Sequence, residues 1–240
     1  MRKIDREFAV FVHIFKNSGT PVTQQLKAFY GESGVRREND GQVDGVTFGD
    51  RLRKLATEDD VRALCGHFKF VRIHKVLNQI GVNNAKFFSF VRDPVNRALS
   101  IYNYARDLES SRLHAMATER TIDDFLEALM QEDSGAITNH QASCLSGDGS
   151  RSFEAAQAAI TKHFAFVGLS EQLEATNDLA RSAFGLAFDG SMRRNVSGNA
   201  AAVSDIAPAT MQKLRDLNQE DQRLYDYVKT SVQPSFVPAN

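Results

Sequence analysis

The sequence predicts a single α/β domain over residues 1–240, with a central parallel sheet flanked by helices. Three segments support this prediction, because each joins a short apolar run to an amphipathic helical stretch. An apolar run without alternation is typical of a strand that is buried on both faces of a parallel sheet. The three segments are "EFAVFVHIF" with "TPVTQQLKAFYG", "AKFFSFV" with "RDPVNRALSIYNYARDL", and "FAFVGL" with "SEQLEATNDLARSAFG".

Capping residues predict where these helices begin and end. Each helix follows a polar residue that suits an N-cap, in order Thr20, Asp93 and Ser170. A glycine, Gly31 or Gly185, lies just past the end of the first and third helices. The remaining chain is expected to contain a helix over residues 50–65 that leads into "GHFKF", a long helix over residues 209–232, and surface loops over residues 30–46 and 197–209.

Composition and charge exclude several classes of protein. The chain carries a formal net charge of −1, so neither a nucleic-acid partner nor a general attraction to polyanions is expected. Its two cysteines, Cys65 and Cys144, are too few for a disulfide framework and lack metal-ligand spacing. The longest apolar runs are shorter than the roughly 20 residues that span a bilayer, and "MRKIDREF" lacks the apolar stretch of a signal peptide. We therefore expect a soluble, cytoplasmic protein without a transmembrane segment.

The turn after the first predicted strand, "KNSGT", is suited to bind an anion. Ligands of α/β proteins bind where such strands end, and the first N–H groups of the next helix form an anion site. Lys16 adds a cation there, and Gly19 lets the backbone approach the ligand closely. The nucleotide triphosphatase pattern differs, because its lysine follows the glycine and precedes Ser or Thr. A solvated lysine beside a capped helix is the alternative interpretation.

A second anion-binding pattern follows the second predicted strand, in "RDPVNRALSIYNY". Arg92 ends the strand, and Arg97 and Ser100 lie one turn apart on the next helix. An arginine fork with a serine hydroxyl can hold a dianionic phosphate. If the two strands are neighbours, the sheet edge carries two anion sites side by side. The alternative is that Arg92 pairs with a nearby carboxylate such as Asp93, and that Arg97 is solvated.

These motifs resemble those of the carbohydrate sulfotransferases. The stretch from Lys16 to Thr20 resembles their 5′-phosphosulfate loop, usually written His-Ile-Pro-Lys-x-Gly-Gly-Thr-Ser. "RDPVNRALSIYNY" matches their 3′-phosphate motif, Arg-Asp-Pro-x-x-Arg-x-x-Ser-x-Tyr, at every fixed position. "GHFKF" is similar to the segment that supplies the catalytic histidine in the heparan sulfate 2-O/6-O branch, which is His67 here. Later segments that resemble the family in the same order are "NHQASCLSG", "FVGLSEQLEATNDL", "RRNVS" and "LNQEDQRLYDYV".

The resemblance implies a P-loop-like domain that transfers a sulfuryl group, without a metal, from 3′-phosphoadenosine 5′-phosphosulfate to a hydroxyl of a carbohydrate or glycolipid acceptor. It implies that Lys16 neutralises charge on the leaving phosphate and that His67 takes the acceptor proton. It also implies that backbone N–H groups hold the 5′-phosphate. These are the N–H groups of Asn17, Ser18, Gly19 and Thr20. The resemblance further implies that Arg92 and Ser100 bind the 3′-phosphate and that Arg97 assists them. The other five histidines are expected to be packed or surface residues.

Three positions depart from the family pattern and keep other interpretations open. Phe15 replaces the proline before the lysine, Ser18 the first glycine and Pro21 the second hydroxyl residue. Pro21 also removes a backbone N–H. The alternatives are a family member that binds nucleotide or sugar without turnover and, less favoured, a P-loop nucleotide kinase. Residues that could serve the acceptor, the nucleotide or only the fold are Asn139, Gln141, Arg193, Arg194 and Asn195.

Overall fold

The computed structural model describes residues 7–41, 46–55, 58, 60–132, 134–189 and 200–232. At its centre is a five-stranded sheet in the order β2-β3-β1-β4-β5. All four strand pairs are parallel. The strands are β1 Phe8–Val12, β2 Val35–Arg37, β3 Ala63–Gly66, β4 Ala85–Val91 and β5 Phe164–Leu169. The predicted α/β fold with a parallel central sheet is confirmed.

Helices flank the sheet and connect its strands. In the described part of the chain the α-helices are α1 Gly19–Tyr30, α2 Phe48–Leu55, α3 Phe70–Gln79, α4 Pro94–Asp107, α5 His114–Glu119, α6 Ile122–Glu132, α7 Ser134–Ile137, α8 His140–Leu145, α9 Phe153–His163, α10 Asn177–Phe184, α11 Pro208–Leu217 and α12 Gln219–Tyr227. Shorter 3₁₀ turns cover Leu173–Thr176 and Val203–Asp205, and a π turn covers Val228–Val232. None of the helices within the described ranges has the length and apolar character needed to cross a membrane.

The central strand β1 is buried along its whole length. Successive residues of a strand point to opposite faces of the sheet. Accordingly, Val10 and Val12 belong to one apolar cluster, and Ala9 and Phe11 belong to a second cluster on the other face. The segment that follows β1 therefore starts from a fixed point in the middle of the core.

The structure contains two strands that the sequence pattern does not reveal. The helix expected over residues 50–65 ends at Leu55, and residues 63–66 form β3 instead. β3 is too short for periodicity to distinguish a strand from a helix. β2 lies in a segment expected to be a surface loop, and it pairs with β3 from Val35 opposite Ala63 to Arg37 opposite Cys65. Both short strands depend on their neighbours for hydrogen bonds.

Three of the predicted helix boundaries are confirmed. Asp93 caps α4, because its carboxylate accepts the Asn96 N–H at 2.9 Å. Gly31 and Gly185 follow α1 and α10 with φ angles of 81° and 74°. These left-handed conformations suit glycine, which has no Cβ to clash with the backbone.

Three other predicted boundaries are wrong. Thr20 is not the N-cap of α1, because the helix already begins after Ser18. Ser170 caps no helix, since α10 begins only after the 3₁₀ turn over Leu173–Thr176. The helix expected over residues 209–232 is interrupted at Asn218, whose φ of −119° separates α11 from α12.

Candidate functional site

The two predicted anion sites lie side by side. β1 and β4 are parallel neighbours in a register that places Phe11 opposite Phe88. Because the carboxyl ends of parallel strands meet at one edge of the sheet, the segment after β1 lies beside the segment after β4. Nη1 of Arg92 donates a hydrogen bond to the Lys16 carbonyl at 3.3 Å. The two motifs therefore form one candidate site.

Residues 13–18, which we call the lysine loop, join β1 to α1. Lys16 and Ser18 have φ angles of 68° and 57°, in the left-handed region that costs an L-residue roughly 1–2 kcal/mol. Between them, the Asn17 N–H donates to the Ile14 carbonyl at 3.0 Å. Ser18 occupies the position of the first glycine in the 5′-phosphosulfate loop motif, and it takes a conformation that glycine adopts without strain. This departure is compatible with the course of the loop.

The start of α1 requires glycine for a steric reason. A Cβ atom on Gly19 would lie 1.8 Å from Nε2 of His13. With glycine there, α1 can begin directly against the imidazole, one residue before the expected cap. The first N–H groups of a helix have no acceptor within it, and here they are those of Ser18, Gly19 and Thr20. Pro21, the next residue, has no N–H to contribute.

Asn17 faces the protein interior. Its side chain is fully buried, and Nδ2 donates to the Phe90 carbonyl at 2.9 Å and to Oε1 of Gln141 at 2.7 Å. Phe90 belongs to β4, so Asn17 ties the lysine loop to the neighbouring strand. Since its backbone N–H is also bonded within the loop, the N–H groups that could bind an anion begin at Ser18 and do not include the expected Asn17.

The Lys16 ammonium lies over an aromatic ring. Nζ is 4.0 Å from the ring centroid of Tyr104 on α4, which is typical of a cation–π contact. The pKa of Lys16 is lowered to about 8, first by burial and then by the charge of Arg92, while Asp107 acts in the opposite direction. An anionic ligand beside the amine would favour its charged form and raise this pKa again.

Arg92 lies at the edge of the lysine loop, where a ligand can reach it. Its side chain is 31% exposed, and Nε is 3.9 Å from Oε1 of Glu171. The same Glu171 oxygen accepts the Asp93 N–H at 3.1 Å. The carboxylate beside Arg92 is therefore Glu171, and burial raises the pKa of that carboxyl group.

Arg97, in contrast, is buried, with only 1% of its surface exposed. Nε donates to the Phe15 carbonyl at 3.2 Å, and Nη2 donates to the Ala136 carbonyl at 2.6 Å. The first bond supports the lysine loop from the inside of the protein, and the second anchors the guanidinium to α7. Ser100 lies one turn further along α4 and is half-buried. Of the two arginines predicted to face an anion, the structure exposes only Arg92.

His67 follows β3 and lies against the lysine loop. Its Nδ1 is 3.0 Å from the His13 carbonyl oxygen. Because a carbonyl oxygen only accepts hydrogen bonds, Nδ1 carries the proton and Nε2 of the neutral ring keeps a lone pair. Burial lowers the pKa of His67, partly opposed by this hydrogen bond. The neutral ring is thus ready to accept a proton at Nε2.

The imidazole of His13 packs against neighbouring rings, and its backbone carbonyl contacts His67. Its ring is packed, 5.3 Å from the ring of Phe11 and 4.2 Å from that of His67. Burial, helped by the nearby His67 and Arg37 side chains, lowers the pKa of His13 to about 3. The imidazole of His13 therefore stays neutral. This agrees with the expectation that His13 is a packed residue. The backbone carbonyl of His13 is the group that accepts the hydrogen bond from His67.

Two aromatic rings lie between the side chains of His67 and Lys16. The ring centroid of Phe15 is 5.9 Å from that of His67 and 5.5 Å from that of Tyr104. Tyr104 in turn lies under the Lys16 ammonium. Phe15, which stands where the resembled motif has proline, thereby lines the space between the imidazole and the lysine.

The less specific candidates divide into three groups. Asn139 caps α12, since its side-chain oxygen accepts the Glu220 N–H at 3.0 Å. Gln141 is fully buried and faces the interior. Arg193, Arg194 and Asn195 lie outside the described residues.

Across the ranges that the structure describes, no three His, Cys, Asp or Glu side chains are grouped as metal ligands.

The site unites three chemical capacities at one edge of the sheet. The N-terminus of α1 and the side chains of Lys16 and Arg92 can bind two anionic groups. The lysine can also stabilise negative charge that develops on a leaving oxygen. The neutral imidazole of His67 can accept a proton from an attacking hydroxyl.

Comparisons with known proteins agree with this chemistry. The model of the Sulfotransferase family matches residues 4–228. No curated protein matches the chain. Among solved structures, mouse sulfotransferase SULT7A1 complexed with PAP is similar with a TM-score of 0.54 and 14% identity, over 94% of this chain and 87% of that one. A sulfotransferase from Alicyclobacillus acidocaldarius is similar with a TM-score of 0.51 and 15% identity, over 94% of this chain and 97% of that one.

Proposed function

The chain belongs to the sulfotransferase family, and from this premise we propose that it moves a sulfuryl group from 3′-phosphoadenosine 5′-phosphosulfate to a hydroxyl group of a carbohydrate or glycoconjugate. The observation that carries the proposal is the parallel pairing of β1 with β4. It brings the lysine loop and Arg92 into contact, as a ligand with two separate phosphate groups requires.

Both cysteines are free thiols and are buried, which supports a cytoplasmic location.

The donor's 5′-phosphosulfate occupies the start of α1 in this proposal. The N–H groups of Ser18, Gly19 and Thr20 form the positive end of the helix dipole and surround the phosphate. The Lys16 ammonium moves from the ring of Tyr104 to the bridging oxygen, where charge accumulates as the S–O bond breaks. The PAP complex of the mouse sulfotransferase with this fold supports a donor of this class.

The 3′-phosphate is held by Arg92, with Ser100 as a hydroxyl donor. Arg92 is partly exposed and lies beside the lysine loop, and Ser100 is on the α4 helix that follows it. Arg97 acts differently from the sequence expectation, because its buried guanidinium donates to the Phe15 carbonyl. We assign it a positioning role, in which it fixes the loop that carries Lys16.

His67 is the general base. As the acceptor oxygen forms a bond to sulfur, its proton moves to Nε2, and the bond from sulfur to the bridging phosphate oxygen breaks. The electron pair of that bond remains on the phosphate beside Lys16. The hydrogen bond from Nδ1 to the His13 carbonyl stabilises the imidazolium that results. No step in this sequence uses a metal ion.

A protein that binds the nucleotide without turnover is the second candidate function. The observation that favours it is Pro21, which deprives the N-terminus of α1 of one N–H. Each lost hydrogen bond to a charged oxygen costs about 1.5–3 kcal/mol of binding free energy. The remaining three N–H groups and two cations are compatible with donor binding.

Two measurements test the proposal. Calorimetric titration of adenosine 3′,5′-bisphosphate, with and without magnesium, is expected to give the same tight binding in both conditions. Magnesium-dependent binding of ATP in place of the bisphosphate would point to a kinase. Transfer of labelled sulfate from the donor to a panel of saccharides and glycolipids then separates an enzyme from a nucleotide-binding protein, which would show affinity without product.

A further inference from the structure

The side-chain amide of Gln141 connects the two halves of the candidate site. Its Oε1 accepts the Asn17 side-chain amide at 2.7 Å and the Arg92 backbone N–H at 2.8 Å. Its Nε2 donates to the Arg92 carbonyl at 2.8 Å. One buried amide thus contacts the lysine loop and both backbone polar groups of Arg92.

Gln141 is itself held rigidly from behind. The N–H groups of Gln141 and Ala142 donate to the two carboxylate oxygens of Asp221, at 3.0 and 2.8 Å. Asp221 is 1% exposed and Gln141 is 0% exposed, so water does not compete for these bonds. Asp221 therefore fixes the backbone from which the buried Gln141 amide reaches the segments that follow β1 and β4.

We propose that Gln141 is a positioning residue that sets the separation between the lysine loop and Arg92, and thereby makes the site select a ligand with two phosphates over a ligand with one. The inference rests on the proposed function, because the lysine loop and Arg92 are assigned to the 5′- and 3′-phosphates there. A ligand that touches both segments depends on their separation. A ligand that touches one segment does not.

A matched control exists elsewhere in the chain. Gln25 on α1 is also buried, and its amide clamps a backbone in the same way, donating to the Asp189 carbonyl at 2.9 Å and accepting the Asp189 N–H at 2.8 Å. Gln25→Met removes this clamp without touching Asn17 or Arg92. Gln141→Met removes a comparable set of bonds between the two anion-binding segments, with little change in side-chain volume.

The test compares three ligands on these variants by calorimetry: adenosine 3′,5′-bisphosphate, adenosine 5′-phosphate and adenosine 3′-phosphate. Gln141→Met is expected to weaken the bisphosphate roughly tenfold or more, and each monophosphate less than about threefold, since about 1.4 kcal/mol of lost positioning corresponds to tenfold in affinity. Gln25→Met should leave the preference for the bisphosphate unchanged. Equal losses for all three ligands, or an unchanged bisphosphate affinity, would overturn the proposal.

Amide hydrogen exchange gives a measurement that needs no nucleotide. The Arg92 N–H is protected by Gln141 in the wild-type protein, and Gln141→Met should increase its exchange while Gln25→Met should not. Unchanged exchange overturns the proposal. If the Met variant does not fold, Gln141→Asn replaces it in both measurements, because its side chain is one methylene shorter and withdraws the amide from the Arg92 N–H. A wild-type protein that binds none of the three ligands would overturn the proposed function, and exchange alone would then decide whether Gln141 links the two segments.

Discussion

The lowered pKa of Lys16 predicts an unusual dependence of nucleotide binding on pH. The amine has a pKa of about 8 in the unliganded protein, and only its charged form attracts a phosphate. An ordinary lysine would remain charged up to about pH 10. We therefore compare nucleotide binding at pH 7 and pH 9. Both phosphates of adenosine 3′,5′-bisphosphate are ionised throughout this range.

The expected magnitude follows from the fraction of charged Lys16. At pH 7 about nine tenths of the unliganded molecules carry the charge, and at pH 9 about one tenth do, for a group that titrates near pH 8. If only the charged form binds, the affinity falls about tenfold between these two pH values, which is about 1.4 kcal/mol. With an unperturbed lysine the change over the same range would be negligible.

Calorimetry at a series of pH values measures this effect, with Lys16→Arg as the control. Arginine stays charged throughout the range, so the variant should bind with little pH dependence. Both cysteines have raised pKa values, so neither thiol accounts for a fall between pH 7 and 9. A flat wild-type profile, or the same fall in Lys16→Arg, would refute the assignment of the shifted group to Lys16.

The stability of the unliganded protein provides an independent check. Burial disfavours the charged amine in the folded state, and the unfolded chain retains the ordinary pKa of 10.5. Between about pH 8 and 10.5 the unfolded state binds more protons than the folded state, so the free energy of unfolding rises with pH in this window. Urea titrations of wild type and Lys16→Arg should differ in this slope, and identical slopes would contradict the shift.

Three substitutions test the other assignments. Arg92→Ala should weaken adenosine 3′,5′-bisphosphate by about 1.5–3 kcal/mol per lost charge-assisted bond and adenosine 5′-phosphate far less, and equal losses would show that Arg92 does not hold the 3′-phosphate. His67→Ala should bind the bisphosphate nearly as well as wild type while sulfate transfer falls about 10²–10⁴-fold, so full activity would place the base elsewhere. Pro21→Ser adds an N–H and a hydroxyl at the start of α1 and should raise donor affinity. If calorimetry shows no gain, neither group faces the ligand.

The sequence predicted the longer strands better than the shortest ones. β4 and β5 have the predicted bounds, because long apolar runs leave little ambiguity. β2 and β3 were missed, since a three- or four-residue strand has no readable period and forms only where a neighbour supplies its hydrogen bonds. Long-range pairing of this kind has no local signal.

The same contrast holds for the site. Lys16, Arg92 and His67 were identified through short motifs, and the structure brings the first two into contact. The contacts of their partners could not be predicted, because these contacts depend on distance in space; Gln141 was named only as a residue that could serve the acceptor, the nucleotide or the fold. Gln141 is 124 residues from Asn17 in sequence, and its amide resembles any other buried glutamine. The His13 carbonyl is a backbone group, which carries no side-chain signal at all.

The hydrogen bond between His67 and the His13 carbonyl couples the two residues to which the proposed reaction assigns proton transfer and charge stabilisation. The carbonyl belongs to the same loop as Lys16, three residues earlier, so a displacement of the whole loop would move Lys16 and would also remove the acceptor of Nδ1. Without that acceptor, the ring loses the preference for the tautomer that leaves Nε2 unprotonated. In the proposed reaction, a displaced loop would therefore impair the base and the lysine together. Such coupling would limit hydrolysis of the sulfate donor while the loop is displaced.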